Sequence, residues 1–211
     1  MTDKDELRRL KKETVSKLSE LDYHKYDLGK TDSRLNTYIE SVISDPDGHN
    51  LYELLSIVRF FRLLDTYLFK TGEVKKFIVF YESLQFSGLK GRTRYKLTPI
   101  QVFQFANILG FYRTEEKRLI RDALLFVPRK YSKTTSVASL AIYDLLFGDA
   151  NAQSYVAANN YNQAQICFSE IKNILKCLDP KFRHFKINRE QVFNKMQGKT
   201  SFARCLASNA D

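Results

Sequence analysis

One short segment of the chain has the residue types and the spacing of a phosphate-binding loop. Residues 127–135 read Val-Pro-Arg-Lys-Tyr-Ser-Lys-Thr-Thr. They follow a continuous apolar run, residues 123–127, which predicts a buried strand, and they lead into residues 134–147, whose apolar periodicity predicts a helix. Backbone N–H groups at such a junction, together with the helix dipole, form a site for anions. In this interpretation Lys133 binds the β- and γ-phosphates of a nucleotide, and Thr134 completes the coordination of Mg²⁺.

The loop departs from the common pattern Gly-x-x-x-x-Gly-Lys-Ser/Thr at both glycines. Val127 and Ser132 stand where the two glycines belong. A serine in a left-handed backbone conformation costs on the order of 1 kcal/mol, so Ser132 must either tolerate that strain or belong to a slightly different loop. Basic surface turns also contain Ser-Lys-Thr strings. The predicted strand and helix on either side favour phosphate binding over a plain surface turn.

The elements around the loop predict an α/β fold. Residues 100–111 predict a helix before the loop, residues 154–158 predict a second strand, and residues 161–178 predict a second long helix. The order strand, loop, helix, strand, helix is typical of a parallel sheet with right-handed crossovers.

The first part of the chain predicts helices only. Apolar residues recur at helical spacing in residues 6–21, 35–43, 51–61 and 74–85. Residues 88–96 contain glycine and are strongly basic, so they predict a boundary. We therefore expect a helical N-terminal region, residues 1–90, followed by an α/β domain, residues 91–211.

Composition indicates a folded, basic protein. The chain has 211 residues, of which 44% are hydrophobic and 13% aromatic, and its formal net charge of +10 favours a polyanionic partner such as nucleic acid. Charged residues interrupt the longest apolar-looking stretch, residues 51–69, and the N-terminus lacks a signal core, so we expect a cytoplasmic protein without a membrane span. Three scattered cysteines and three scattered histidines predict neither a disulfide framework nor a zinc site.

Three ordered motifs, namely the loop, a two-part stretch upstream and a stretch downstream, resemble the large terminase subunits of tailed bacteriophages. Residues 127–135 look like that family's divergent phosphate loop, which often lacks the first glycine and carries an Arg-Lys pair. Upstream, residues 97–103 resemble its Pro-x-Gln segment, and residues 108–111 resemble the Phe-Gly-Trp-like stretch that follows it. Downstream, residues 155–164 resemble a strand ending in Ala-Ala followed by a helix that opens with Gln-Ala. The resemblance covers about Tyr38 to Asp211.

The resemblance implies the ATPase of a motor that packages double-stranded DNA into a procapsid. It implies a P-loop NTPase domain of the ASCE type with ATP and Mg²⁺ as cofactors, in the cytoplasm of an infected bacterial host cell. Implied partners are the portal protein, the small terminase subunit, further copies in a ring, and the remaining C-terminal part of the terminase. The implied catalytic residues are Arg129, as an arginine finger, and Lys133. The implied nucleotide-binding residues are Gln101, on the adenine, and Arg129, Lys130, Tyr131, Ser132, Lys133, Thr134 and Thr135, with Thr134 on the metal.

The same resemblance predicts that part of the machinery lies outside this sequence. Residues 200–211 resemble the family's stretch just before the Walker B strand, which ends in Asp-Glu, and a nuclease domain is expected beyond it. We therefore expect the domain to be incomplete before Walker B, and this chain alone to turn over ATP weakly or not at all. Two alternatives stay open: a non-catalytic nucleic-acid-binding module that uses the basic residues 90–96, and another P-loop translocase or helicase.

Overall fold

The computed structural model describes residues 3–88 and 91–207. The chain forms two compact units, each built from two stretches of sequence. The first, which we call the helical unit, comprises Met1–Ile78 and Leu97–Ala123, and the second, the sheet unit, comprises Val79–Lys96 and Leu124–Asp211. The division at residue 90 stays a prediction about domain organisation.

The helical unit consists mainly of helices that the sequence predicts from apolar periodicity. Its elements are α1 (Asp3–Ser19), α2 (Ser33–Ser44), α3 (Leu51–Thr66), β1 (Leu68–Phe69), the first part of α4 (Thr71–Ser83), α5 (Pro99–Gly110) and β4 (Phe111–Tyr112). β1 and β4 pair as a short antiparallel ladder. Within the described residues, no helix has both the length and the apolar character needed to span a membrane.

Local polar contacts set where these helices begin. Asn50 caps α3: its side-chain oxygen accepts the N–H groups of Tyr52 and Glu53, at 2.9 and 3.1 Å, and Glu53 accepts the N–H of Asn50 at 3.0 Å. At the start of α5, the N–H of Thr98 donates to the side-chain oxygen of Gln101 at 2.9 Å. Such reciprocal contacts satisfy N–H groups that the first helical turn leaves without partners.

Aromatic packing forms the core of the helical unit. Phe60 is fully buried, and its ring lies 5.2–5.8 Å from four other rings, those of Phe61, Phe69, Phe103 and Phe111. The packing is close enough that a Cβ at Gly110 would overlap the ring of Phe69. α3, α5 and the β1–β4 ladder are therefore held together by one cluster of rings.

The sheet unit combines two helices with a mixed sheet. Besides the end of α4 and the hairpin strands β2 (Phe86–Gly88) and β3 (Gly91–Thr93), it contains α6 (Lys133–Phe147), β5 (Gln153–Ala158), α7 (Tyr161–Leu178), β6 (Phe185–Ile187), β7 (Gln191–Asn194) and β8 (Phe202–Ala207). The strand order is β5-β8-β7-β6; β5 and β8 are parallel, and the other pairs are antiparallel. α6 and α7 pack on each other and against β5 and β8.

The predicted helices and second strand are confirmed, but two other predictions for this unit are wrong. Residues 121–128 have no regular secondary structure, and Leu124 and Phe126 are 93% and 94% exposed, so residues 123–127 do not form a buried strand. None of the described strands pairs with them, and an apolar run becomes a strand only where a neighbour completes its hydrogen bonds. The sheet is also mixed rather than all-parallel, because β6, β7 and β8 form an antiparallel meander.

The predicted boundary at residues 88–96 corresponds to a hairpin. β2 and β3 pair antiparallel, and the guanidinium of Arg92 donates to the carbonyl of Asn173 in α7 at 2.9 Å. Leu89 and Lys90, which belong to the predicted basic stretch, lie outside the described residues. The part that is described is therefore anchored to α7 rather than being an open linker.

A buried carboxylate closes the turn between α7 and β6. Asp179 is 5% exposed and accepts the N–H groups of Arg183, His184 and Phe185 at 3.0, 2.7 and 3.0 Å. Burial alone would raise the pKa of Asp179, but these three donors outweigh it and hold the pKa below its ordinary value. The same turn contains Phe182 in the left-handed region, with φ 52°. Asp179 thus stabilises a turn that a non-glycine residue rarely adopts.

We expect Asp179→Asn to lower the free energy of unfolding by about 2 kcal/mol at pH 7, since a neutral amide cannot accept all three N–H groups. The lowered pKa means that the wild-type contribution is present above the unfolded-state pKa, about 3.9, and is lost as pH falls through the folded-state pKa. The difference between wild type and variant should therefore shrink between pH 5 and pH 3. Urea unfolding at both pH values, followed at amides of α7 and β6, measures it, with the exposed Asp149→Asn as the control; a difference that is constant with pH would contradict the assignment.

Candidate functional site

The predicted phosphate loop ends at the N-terminus of α6. Arg129 and Lys130 form a turn, and α6 begins at Lys133. Ser132 directly precedes the helix with φ 59° and ψ 24°, which is the left-handed conformation, and Lys130 has φ 68°. Ser132 stands at the second glycine position of the common loop pattern, in a conformation that glycine adopts without steric cost. The turn is separate from the helix, as a phosphate loop requires, although the strand expected before it is not formed.

The first turn of α6 leaves its N–H groups available for an anion. The side chain of Ser132 makes no capping hydrogen bond, and its carbonyl accepts the first helical N–H, that of Ser136, at 2.9 Å. The N–H groups of a helix's first turn have no intrahelical acceptor, and the helix dipole adds partial positive charge there. The hydroxyl of Thr135 donates back to the Ser132 carbonyl at 2.9 Å, which further fixes the turn.

Lys133 reaches back across the loop. Its ammonium donates to the carbonyl of Val127 at 3.0 Å, so it joins the first and last parts of the loop. Val127 stands at the first glycine position of the motif. The contact therefore connects the two ends of the loop by a hydrogen bond. A phosphate oxygen carries more negative charge than a peptide carbonyl and is the stronger acceptor for this ammonium.

These groups line one cavity of about 370 Å³ within the sheet unit. Its lining residues are Tyr95, Arg129, Lys130, Ser132, Lys133, Thr134 and Thr135. Three of them are cationic and none is acidic, so the cavity favours a polyanion. Its volume lies within the range of small-ligand sites. Elsewhere in residues 3–88 and 91–207, His, Cys, Asp and Glu side chains form no group of three that could hold a metal ion.

Six of the eight predicted nucleotide-binding residues line this cavity. Tyr131 is half-buried in the loop and is not one of them. Gln101 belongs to the helical unit, where its side-chain oxygen accepts the N–H of Thr98. A local helix cap thus accounts for Gln101, and its contact with adenine stays a prediction.

Tyr95 lines the cavity but was not among the predicted site residues. This residue is the only aromatic one in the basic stretch 88–96, which was the one available signal. Its ring packs against Phe86 with centroids 5.6 Å apart, and Phe86 packs against Tyr81 at 5.0 Å. Burial raises the pKa of Tyr81, whose hydroxyl donates to Thr135 at 3.4 Å. A row of rings therefore links the β2–β3 hairpin to the start of α6.

Comparison with known proteins decides the family. The model of the family described as "terminase large subunit, ATPase domain" matches residues 99–211, more than half of the chain. The chain belongs to the large terminase family. No curated protein and no solved structure matches it significantly. The matched region runs from α5 to beyond β8 and includes the whole loop, so the resemblance noted in the sequence is confirmed.

Membership in the terminase family indicates which kind of polyanion is relevant to the cavity. The matched domain is of the ATPase class, and the family indicates a role in phage DNA packaging. A nucleotide is therefore the polyanion that a terminase chain of this kind is expected to use. The cationic lining, the left-handed residue before α6 and the lysine at its first position all fit a nucleotide's phosphates.

The left-handed Ser132 leads to a prediction for Ser132→Gly. Glycine adopts this conformation without the cost that a Cβ imposes, and the Ser132 hydroxyl makes no capping bond that would be lost. We expect the free energy of unfolding of the variant to equal that of wild type or to exceed it by up to about 1 kcal/mol. The variant should also bind nucleotide at least as tightly as wild type. Ser132→Ala keeps the Cβ and should gain nothing. Thermal unfolding and nucleotide titration test this; a loss of about 1 kcal/mol, as for glycine within a helix, would show that the strain is absent.

Proposed function

We propose that residues 127–135 bind the triphosphate of ATP, and that the chain is the ATP-binding part of a motor that moves double-stranded DNA into a viral procapsid. The observation that carries this proposal is the Lys133 ammonium beside uncapped helix N–H groups, in a cavity lined by three cations and no acid. The family match supports it independently, since it covers the same residues.

Each loop residue has a role that follows from its chemistry. Lys133 would transfer its hydrogen bond from the Val127 carbonyl to the β- and γ-phosphates, and the N–H groups at the start of α6 would hold the same oxygens. Arg129, an exposed residue of the cavity lining, has the planar charge that suits the γ-phosphoryl group, and Lys130 adds charge beside it. Ser132 and Thr135 shape the turn.

The donor set also fits a magnesium ion held together with the nucleotide. The hydroxyl of Thr134 is a hard oxygen ligand at the first turn of α6, and Mg²⁺ is commonly held by one or two protein oxygens plus substrate phosphates. When bound, the ion supplies charge neutralisation at the β- and γ-oxygens. Thr134 would hold the ion, while Gln101 would contact the adenine and Tyr131 would support the loop.

The remaining parts of the proposal follow from the family. Double-stranded DNA, the portal protein, the small terminase subunit and further copies of the chain in a ring are the proposed partners, in the cytoplasm of an infected bacterium. The formal net charge of +10 supports contact with DNA, because neutralised phosphates release counterions.

A second candidate function is a non-catalytic nucleic-acid-binding module. The observation that favours it is the exposed pair Arg94 and Lys96 beside the β2–β3 hairpin. Calorimetric titration of the chain with Mg·ATP, and separately with a DNA duplex at two salt concentrations, distinguishes the two functions. ATP binding that ADP and tripolyphosphate displace supports the proposed function. Salt-dependent DNA binding without detectable ATP binding would favour the module instead.

A further inference from the structure

The lining of the cavity combines two chemically different groups of side chains, which we call its two walls. One is the cationic loop with Arg129, Lys130 and Lys133, and the other is the ring of Tyr95. A free phosphate or a DNA backbone phosphate needs only the first wall. A ligand that matches both must join a polyanionic group to a flat π-system, which is the chemistry of a nucleoside polyphosphate.

The Tyr95 ring is held in position from behind. It is 41% exposed, and one side packs against Phe86, which is fully buried. Phe86 in turn contacts Tyr81, whose hydroxyl donates to Thr135 in the first turn of α6. The aromatic wall and the phosphate wall are thus connected through packed side chains of the same unit, so the distance between them is fixed by the fold.

We infer that Tyr95 stacks on the nucleobase of the bound nucleotide. This inference rests on the proposed function, because it requires the phosphates to lie at the start of α6. Stacking on an aromatic face is nearly independent of the base, since every base has a π-face. Tyr95 therefore adds affinity for nucleotides in general, whereas any choice between adenine and guanine must come from hydrogen-bonding groups.

Titration with three probes tests the inference: Mg·ATP, Mg·GTP and tripolyphosphate. Tyr95→Ala should weaken ATP and GTP about tenfold each and leave tripolyphosphate within about twofold of wild type. Tyr95→Phe keeps the ring and should restore both nucleotides. Tyr155→Ala is the matched control, because Tyr155 is 50% exposed and also packs against one phenylalanine, yet lies outside the cavity lining.

The outcomes separate this inference from the proposed function. If Tyr95→Ala weakens tripolyphosphate as much as ATP, or weakens none of the probes, stacking is wrong while phosphate binding by the loop can still hold. If Lys133→Ala leaves all three probes bound as in wild type, the proposed function itself fails.

A spectroscopic variant gives a second, independent readout. The chain contains no tryptophan, so Tyr95→Trp introduces a single emission reporter at this position. ATP should change its emission through stacking, and tripolyphosphate at saturating concentration should leave it nearly unchanged. Equal changes with both probes, or none with ATP, would overturn the inference.

Discussion

Lys133→Ala is expected to weaken Mg·ATP binding by at least about a hundredfold. The variant removes the ammonium that would bind two phosphate groups in a cavity without acidic residues, and charged pairs of this kind are worth several kcal/mol when one partner is truncated. The fold should be unaffected, because Lys133 is exposed and its contact with the Val127 carbonyl is a single hydrogen bond at the surface of the loop. Calorimetric titration measures the affinity, and circular dichroism checks the fold.

Two further variants make this result specific. Lys186→Ala removes the same charge from an exposed position on β6, outside the cavity lining, and should leave ATP affinity within about twofold. Lys133→Arg keeps the charge but replaces a compact ammonium by a larger planar group, and should recover only part of the affinity. DNA affinity should be largely intact in all three. An ATP affinity of Lys133→Ala close to that of wild type would contradict the assignment of the loop.

Phe60→Ala should cost about 3–5 kcal/mol of stability in the helical unit. Phe60 is fully buried and contacts four other rings, so the truncation loses both transfer free energy and packing around the space it leaves. Two compact units need not unfold together, so hydrogen exchange is the suitable measurement. The opening free energies of amides in α3 and α5 should fall by this amount.

Phe126→Ala is the control for Phe60→Ala, because it makes the same truncation at an exposed position. The residue type and the truncation are the same, but Phe126 is 94% exposed, and the effect should be below about 0.5 kcal/mol. A buried strand at residues 123–127, as the sequence predicts, would make the two truncations similarly costly. Equal losses would therefore contradict the exposed arrangement.

The sequence predicts elements that depend on interactions between residues close in the chain, and it misses elements that depend on residues far apart in the chain. The helix predicted for residues 161–178 is observed as α7, and β5 lies where residues 154–158 predict it, because periodicity and caps such as Asn160 act within one or two turns. β6, β7 and β8 were not predicted. Each has at most six residues, and their pairing depends on partners that sequence periodicity does not identify.

The residues of the candidate site also differ in whether they come from one stretch of the chain or from separate stretches. Ser132, Lys133 and Thr134 belong to one contiguous motif, so the sequence places them together at the start of a helix, as observed. Tyr95 comes from a separate stretch and reaches the cavity through packing on Phe86, which no local pattern encodes. Residues 123–127 have the composition of a strand, but composition does not supply a pairing partner.

The most direct test of a triphosphate at the start of α6 is the response of the backbone amides there. In the ¹⁵N-labelled chain, Mg·ATP should shift the amide resonances of Ser132, Lys133, Thr134 and Thr135 strongly, and tripolyphosphate should shift the same amides. Saturation of the chain with ATP while these four amides stay unchanged, with the shifts lying elsewhere, would contradict the account.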